Sequence, residues 1–111
     1  MKKSIFLIVS ISFAITISVF SQTTNPLDSA WIKDNYSKQE VMIPMRDGIK
    51  LFTSIYIPKN TSEPRPILMT RTPYSCAPYG VDNYRPFWNT HWRYYMRRNY
   101  IIVIQDVRGR Y

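Results

Sequence analysis

Tyr74 is the side chain of this 111-residue sequence that stands where chemistry is most easily placed. It follows an unbroken apolar run, residues 67–69, and Pro73 ends that segment because proline cannot donate to a sheet ladder. In open α/β sheets, ligands bind at the carboxyl ends of parallel strands. A tyrosine at such an end has a hydroxyl that can donate a hydrogen bond to a ligand. The spacing therefore makes Tyr74 the candidate functional residue.

Asp106 holds the corresponding position after a second predicted strand, residues 100–105. Its carboxylate is a candidate acid or base for catalysis. An acid after a strand more commonly ties down a glycine-bearing turn through backbone N–H groups, or pairs with a nearby arginine, here Arg108 or Arg110. We expect the structural role for Asp106.

The other reactive side chains occur singly. Cys76 is the only cysteine, which excludes an internal disulfide and a zinc-type spacing. Its thiol is either buried and inert or paired with a group outside this chain. His91, the only histidine, has no carboxylate or nucleophile close to it in the sequence, and we expect it to be structural. No pattern indicates a metal or a cofactor.

The pattern around Tyr74 and Asp106 predicts a βαβ unit that positions both residues. The first apolar run is bracketed by Pro66 and Pro73 and predicts a short strand buried on both faces. Residues 100–105 predict a second buried strand. Between them a helix is predicted from Pro86, with an aromatic stripe that is typical of core packing, formed by Trp88, Trp92, Tyr95 and Met96. The two strands are then parallel, and Asp106 emerges at the same sheet edge as Tyr74.

A hairpin precedes this unit. Residues 40–45 and 49–57 have strand character and flank Asp47-Gly48, a strong hairpin turn signal. Pro44 indicates that the first strand lies at a sheet edge. We expect the two apolar sets of matching parity to face one core, namely Val41, Ile43 and Met45 before the turn and Ile49, Leu51, Ile55 and Ile57 after it.

The first 21 residues predict a secretory signal peptide. A basic start, Met1-Lys2-Lys3, precedes 17 uncharged residues that include five serines or threonines. A membrane anchor needs about 20 mostly apolar residues, so we favour export with cleavage near Ser21 over a retained anchor. The mature protein is then periplasmic or extracellular. Residues 22–37 are interpreted as a linker, since they show no sustained periodicity.

The charge of the chain argues against nucleic-acid binding. The formal net charge is +8, with 15 basic and seven acidic residues. The basic residues are scattered from Lys33 to Arg110, with one local cluster at Arg93, Arg97 and Arg98, rather than gathered on one face. We expect a small-molecule or short-peptide partner, membrane contact only during export, and leave the oligomeric state open.

Three segments, taken in order, resemble the opening of the family of cocaine esterase, α-amino acid ester hydrolase and X-Pro dipeptidyl-peptidase. They are Met45-Arg46-Asp47-Gly48, Arg71-Thr72-Pro73-Tyr74 and Gln105-Asp106-Val107-Arg108-Gly109-Arg110. The resemblance covers residues 38–111 and implies an α/β fold, the N-terminal part of an α/β-hydrolase with its hairpin and first βαβ unit. It also implies a serine hydrolase that forms an acyl-enzyme from an ester or amide, with Tyr74 donating its hydroxyl to the oxyanion hole.

The sequence departs from that family in what it lacks. It contains no G-x-S-x-G nucleophile elbow, and His91 lies upstream of where the family places its histidine. We therefore interpret residues 38–111 as a truncated hydrolase domain, inactive alone, whose serine, aspartate and histidine lie beyond Tyr111. The alternative is a small secreted β-rich binding module without catalysis, complete as written.

Overall fold

Residues 27–110 form short helices and four strands, and the strands make one sheet. The computed structural model describes residues 27–110, and the predicted signal peptide lies outside this range. The elements in chain order are α1 (Ser29–Asn35), β1 (Tyr36–Pro44), β2 (Lys50–Pro58), β3 (Ile67–Thr72), a 3₁₀ turn (Phe87–Asn89), α2 (Trp92–Arg97) and β4 (Ile101–Asp106). None of the helices in residues 27–110 is long and apolar enough to cross a membrane.

Helix α1 lies within the segment that we interpret as a linker. Asp28 caps it, because its Oδ1 accepts a hydrogen bond from the backbone N–H of Trp31 at 2.9 Å. Ile32 of this helix is fully buried, and Tyr36 continues directly into β1. Residues 29–37 are therefore structured, and the interpretation of this part as a loose linker is corrected.

Strands β1 and β2 form the predicted hairpin. They pair antiparallel from Tyr36 opposite Pro58 to Pro44 opposite Lys50. In the turn Gly48 has φ +84°, a conformation that glycine adopts without a steric penalty, and its N–H donates to the Met45 carbonyl at 2.9 Å. The turn chemistry of Asp47-Gly48 thus fixes the hairpin, and β1 lies at the sheet edge as Pro44 predicts.

The strand order of the sheet is β1-β2-β4-β3. Strand β4 pairs antiparallel with β2 and parallel with β3, which confirms the predicted parallel pair. The register places Thr72 of β3 opposite Asp106 of β4. The ends of these two strands therefore meet at one sheet edge, as expected for Tyr74 and Asp106.

Strand β3 is an edge strand in residues 27–110, not the doubly buried strand that its apolar run predicts. Ile67 is 65% exposed and Met69 is 45% exposed. The interior position belongs to β4, which lies between β2 and β3, and residues 102–106 are all buried. An apolar run is equally compatible with either position, since strand order is decided by tertiary pairing.

One face of the sheet carries the core, and we call it the covered face. It presents Tyr36, Lys38, Tyr56, Ile102 and Ile104, all buried. The helical segments of residues 27–110 pack on it through Ile32, Phe87 and Met96. The single proton of the Tyr36 hydroxyl is shared between the carbonyls of Met96 (2.9 Å) and Tyr100 (3.0 Å), which ties β1 to the end of α2.

The opposite, open face carries the aliphatic set that we expected to face the core. Val41, Leu51 and Ile55 of this set are half-buried or exposed there, and so is Met69 of β3. The prediction of the core-facing parity in the hairpin is thus wrong for residues 27–110, because Tyr36, Lys38 and Tyr56, of the other parity, face the helices. The open face also includes three buried residues near its centre, Thr53, Val103 and Gln105.

The helix predicted from Pro86 is divided in two. A 3₁₀ turn ends at Asn89, and Thr90 is extended, with φ −131° and ψ 173°, before α2 begins at Trp92. The Thr90 hydroxyl donates to the Phe87 carbonyl at 3.0 Å, a local bond that competes with helix continuation. The aromatic stripe nevertheless packs inward as core: Met96 is buried, and Trp88, Trp92 and Tyr95 pack against the cluster.

Candidate functional site

Tyr74 lies immediately after β3, as predicted. The Thr72 hydroxyl oxygen accepts a hydrogen bond from the Tyr74 backbone N–H at 3.0 Å, which fixes the backbone where the chain leaves the strand. The Tyr74 side chain is 85% exposed. Within residues 27–110 no hydrogen-bond partner engages its hydroxyl, so the O–H group is available to an incoming ligand.

Residues 73–86, which we call the Tyr74 loop, fold back over the covered face. Ser75 has φ +117°, a conformation that non-glycine residues rarely adopt and that recurs at functional sites. The carbonyl of Ser75 accepts from Arg85 Nη1 at 3.2 Å, and its hydroxyl lies 2.8 Å from the hydroxyl of Tyr79. The loop is therefore closed on itself around the residue that follows Tyr74.

Cys76 anchors the loop to the sheet. Its side chain is fully buried, and its Sγ donates to the Ile104 carbonyl at 3.1 Å. Burial, together with the nearby Asp106 carboxylate, raises the pKa of the Cys76 thiol to about 12. The thiolate is the nucleophilic form, so this cysteine is a structural one. Of the two alternatives left by the sequence, the structure supports the buried and inert thiol.

Lys38 and Glu40 hold the far end of the loop, and sequence reasoning missed both. The Lys38 ammonium donates to the carbonyls of Pro78 (2.5 Å), Gly80 (3.0 Å) and Asn83 (2.9 Å), and it lies 2.7 Å from Glu40 Oε1. The available signal was two opposite charges at i and i+2, which place both side chains on one face of a strand. That spacing is too common on exposed strands to identify a buried pair.

Asp106 has the predicted position but not the predicted partners. Its side chain is 1% exposed, and neither carboxylate oxygen accepts a hydrogen bond from residues 27–110. Arg108 instead pairs with Asp47 in the hairpin turn. Hydrogen bonding from Arg108 holds the pKa of the Asp47 carboxyl below its usual range. The expectation that Asp106 pairs with Arg108 or ties down the turn is corrected.

The three sequence segments that carry the family resemblance line one cleft. This cleft has a volume of about 720 Å³. It contains Arg46 and Asp47 from the hairpin turn, Arg71 from β3, and Val107 and Arg108 after β4. Segments far apart in sequence thus converge at the carboxyl ends of β3 and β4. Tyr74 itself is not among the residues that line this cleft.

His91 lies apart from this region. It is exposed at the N-terminus of α2, and its ring stacks on Trp92 with centroids 5.2 Å apart. The structural role expected of His91 stays a prediction. Residues 27–110 contain no group of three or more histidine, cysteine, aspartate or glutamate side chains able to hold a metal ion.

Comparisons with known proteins agree on one class. An aminopeptidase from the marine sediment archaeon Thaumarchaeota archaeon has a solved structure that matches 69% of this chain, with 40% identity and a TM-score of 0.56. An α-amino acid ester hydrolase structure matches 88% of the chain, with 33% identity and a TM-score of 0.55. The hairpin, the parallel pair and these neighbours define the N-terminal part of an α/β-hydrolase fold.

The family follows from the sequence comparisons. The sequence model of the X-Pro dipeptidyl-peptidase (S15) family matches residues 47–111. Cocaine esterase from Rhodococcus sp. (strain MB1 Bresler) is 39% identical over 83 residues. The chain therefore belongs to the X-Pro dipeptidyl-peptidase (S15) family of hydrolases. It spans 13% of the length of cocaine esterase and 13% to 16% of the two solved chains.

Proposed function

We propose that this chain is the N-terminal part of an exported serine hydrolase. The full-length protein cleaves esters or amides that carry an α-amino-acyl or prolyl-peptide acyl group, through an acyl-enzyme intermediate. Family membership supports the hydrolase activity, and the names of the relatives, an esterase, an aminopeptidase and an amino acid ester hydrolase, support this substrate class.

The observation that carries the proposal is the free hydroxyl of Tyr74 at the end of β3. An oxyanion hole needs a donor that is fixed before the reaction and not already engaged. The backbone of Tyr74 is held by Thr72, whereas its side chain is 85% exposed. Tyr74 therefore offers a hydrogen-bond donor from a rigid strand end to a substrate above the sheet.

The mechanism assigns Tyr74 to charge stabilisation. A serine activated by a histidine attacks the substrate carbonyl, and the carbonyl oxygen becomes an oxyanion in the tetrahedral intermediate. The Tyr74 O–H donates to this oxygen during acylation and again when water releases the acyl group. The serine, histidine and aspartate are assigned to the part of the protein outside this chain, and the 111 residues alone are inactive.

The first 21 residues are assigned to export. Their basic start and uncharged apolar segment are typical of a signal peptide, and removal near Ser21 leaves the mature enzyme in the periplasm or outside the cell.

Replacement of Tyr74 with phenylalanine in the full-length protein tests the proposal. We expect Tyr74→Phe to lower the kcat for an amino acid ester about 100-fold, because one oxyanion donor contributes about 10² to 10³ in rate. The loss of the hydroxyl leaves stability nearly unchanged, since the side chain is exposed. The enzyme is purified from the exported fraction, where its N-terminus is expected at Gln22.

Tyr94→Phe is the matched control. Tyr94 is a 57% exposed tyrosine on α2, and its hydroxyl accepts a hydrogen bond from Arg93. Its removal is expected to leave kcat unchanged. Equal turnover by the Tyr74→Phe and wild-type enzymes would remove Tyr74 from the mechanism.

A further inference from the structure

A buried lysine holds the loop that follows Tyr74. The side chain of Lys38 is 0% exposed, although it lies on the edge strand β1. Four oxygens surround its ammonium at 2.5 to 3.0 Å: the carbonyls of Pro78, Gly80 and Asn83, and Glu40 Oε1. The ammonium has three protons to donate, so all of them are engaged within this cage.

The composition of the cage indicates a role in conformation. Burying a charge is costly, and a buried ion pair is often no more stabilising than apolar residues of similar volume. Three of the four acceptors are backbone carbonyls, all within residues 78–83 of the loop. Glu40 Oε1 also accepts the N–H of Gly80 at 2.8 Å, so the pair clamps both polar groups of that residue.

The clamp is connected to Tyr74 by short contacts. Pro78 and Gly80, held by Lys38, flank Tyr79 in the chain. The Tyr79 hydroxyl lies 2.8 Å from Ser75 Oγ, and Ser75 directly follows Tyr74. A loop that loses the ammonium has three carbonyls without their donor, and we expect it to rearrange at Tyr79 and then at Ser75.

We propose that Lys38 is a positioning residue, whose buried ammonium sets the conformation of the Tyr74 loop and thereby the direction of the Tyr74 hydroxyl. This inference rests on the proposed role of Tyr74 as an oxyanion donor. A displacement of about 1 Å in a catalytic group is enough to lower a rate about 100-fold. Lys38 therefore acts on kcat through Tyr74 and touches no substrate.

The test compares Lys38→Ala, Tyr74→Phe and the double variant in the full-length protein. We expect Lys38→Ala to lower kcat about 10- to 100-fold with a smaller change in KM. Because Lys38 acts through Tyr74, the double variant is expected to be hardly slower than Tyr74→Phe alone. Lys50→Ala, which removes an exposed lysine at the start of β2, is the matched control and is expected to leave kcat unchanged.

Chemical rescue separates the ammonium from the bulk of the side chain. n-Propylammonium has the same non-hydrogen atoms as the part of Lys38 that the alanine variant lacks. We expect n-propylammonium to raise the kcat of Lys38→Ala at least a few-fold and to leave the kcat of Tyr74→Phe unchanged. 1-Propanol has the same shape without the charge, and we expect no rescue from it.

The outcomes distinguish the two proposals. If Tyr74→Phe turns over at the wild-type rate, the proposed function fails whatever Lys38 does. If Tyr74→Phe is slow but the Lys38 effect multiplies fully with it, or if 1-propanol rescues as well as n-propylammonium, the Lys38 proposal alone is overturned. Lys38→Met keeps a long unbranched side chain that is one non-hydrogen atom shorter than lysine and has no charge. Failure of both Lys38 variants to fold would assign Lys38 to global stability and overturn the proposal.

Discussion

The two faces of the sheet differ in chemistry as well as in burial. The covered face combines aliphatic residues with side chains that have polar groups, such as Tyr36, Lys38 and Tyr56. The open face is mainly aliphatic, with Val41, Ile55 and Met69 among its exposed or half-buried residues. Polar groups of the covered-face side chains form hydrogen bonds with the backbone of the loop and helices that lie on this face. For example, the Tyr36 hydroxyl donates to the Met96 carbonyl. The aliphatic side chains of the open face form no such hydrogen bonds, and they are suited to packing against another layer of the protein.

The exposure of the parallel strand β3 also indicates that the open face is suited to packing. All-parallel sheets occur almost only where helices cover both faces. Here β3 and β4 are parallel, yet Ile67 and Met69 of β3 are 65% and 45% exposed. Together with the small share of the relatives that this chain spans, this exposure leads us to propose that the rest of the hydrolase covers the open face.

Expression of residues 22–111 alone is expected to give the largest effect of the uncovered open face. We expect this segment to aggregate, or to unfold without a cooperative transition, because it leaves the aliphatic open face and the edge of β3 in water. Urea titration followed by circular dichroism, with size-exclusion chromatography, measures both properties. A cooperative, monomeric unfolding transition would favour the binding-module alternative over the truncated hydrolase.

Which residues form the covered face could not be predicted from the sequence, for physical reasons. The hairpin and the parallel pair were predictable because Asp47-Gly48 and the apolar runs act locally. Alternation in β1 and β2 yields two candidate faces, and aliphatic content alone selected the wrong one for residues 27–110. The core-facing set contains a lysine, which composition places on the surface.

The candidate site divides in the same way. The position of Tyr74 follows from a strand end and a motif, both visible in the sequence. The cage around Lys38 consists of carbonyls 40 to 45 residues away, which every residue possesses and no sequence pattern displays. The partners of Asp106 were mispredicted for a related reason: Arg108 has a second candidate, Asp47, that only the folded hairpin brings within reach.

A smaller effect separates the two faces within the full-length protein. Phe87 is fully buried on the covered face, and its ring centroid lies 4.8 Å from that of Tyr56. We expect Phe87→Ala to lower the free energy of unfolding by about 3–5 kcal/mol. If the rest of the hydrolase covers the open face, Met69→Ala costs about 2–5 kcal/mol as well. Urea unfolding of both variants gives the two values. A Met69→Ala cost below about 0.5 kcal/mol, as for a surface residue, would mean that the open face stays in water.

The smallest effect concerns Cys76 and pH. Burial raises the pKa of this thiol from 9.0 to about 12 in the folded state, so the thiol stays protonated in the fold after it ionises in the unfolded chain. Unfolding then releases a proton, and its contribution to stability is complete below pH 9 and is lost as the pH rises from about 9 to 12. The loss is about 1.4 kcal/mol per pH unit in this window.

Cys76→Ala isolates this contribution in the full-length protein. The buried tyrosines, whose pKa values are also raised by burial, are present in both proteins and cancel in the difference. We expect the free energies of unfolding of wild type and Cys76→Ala to differ by a constant amount between pH 7 and 8.5, and the difference to fall by about 2 kcal/mol by pH 10.5. Parallel pH curves would show that the thiol ionises equally in both states. Cys76 would then be accessible to water, and the Tyr74 loop would lack its buried anchor on the covered face.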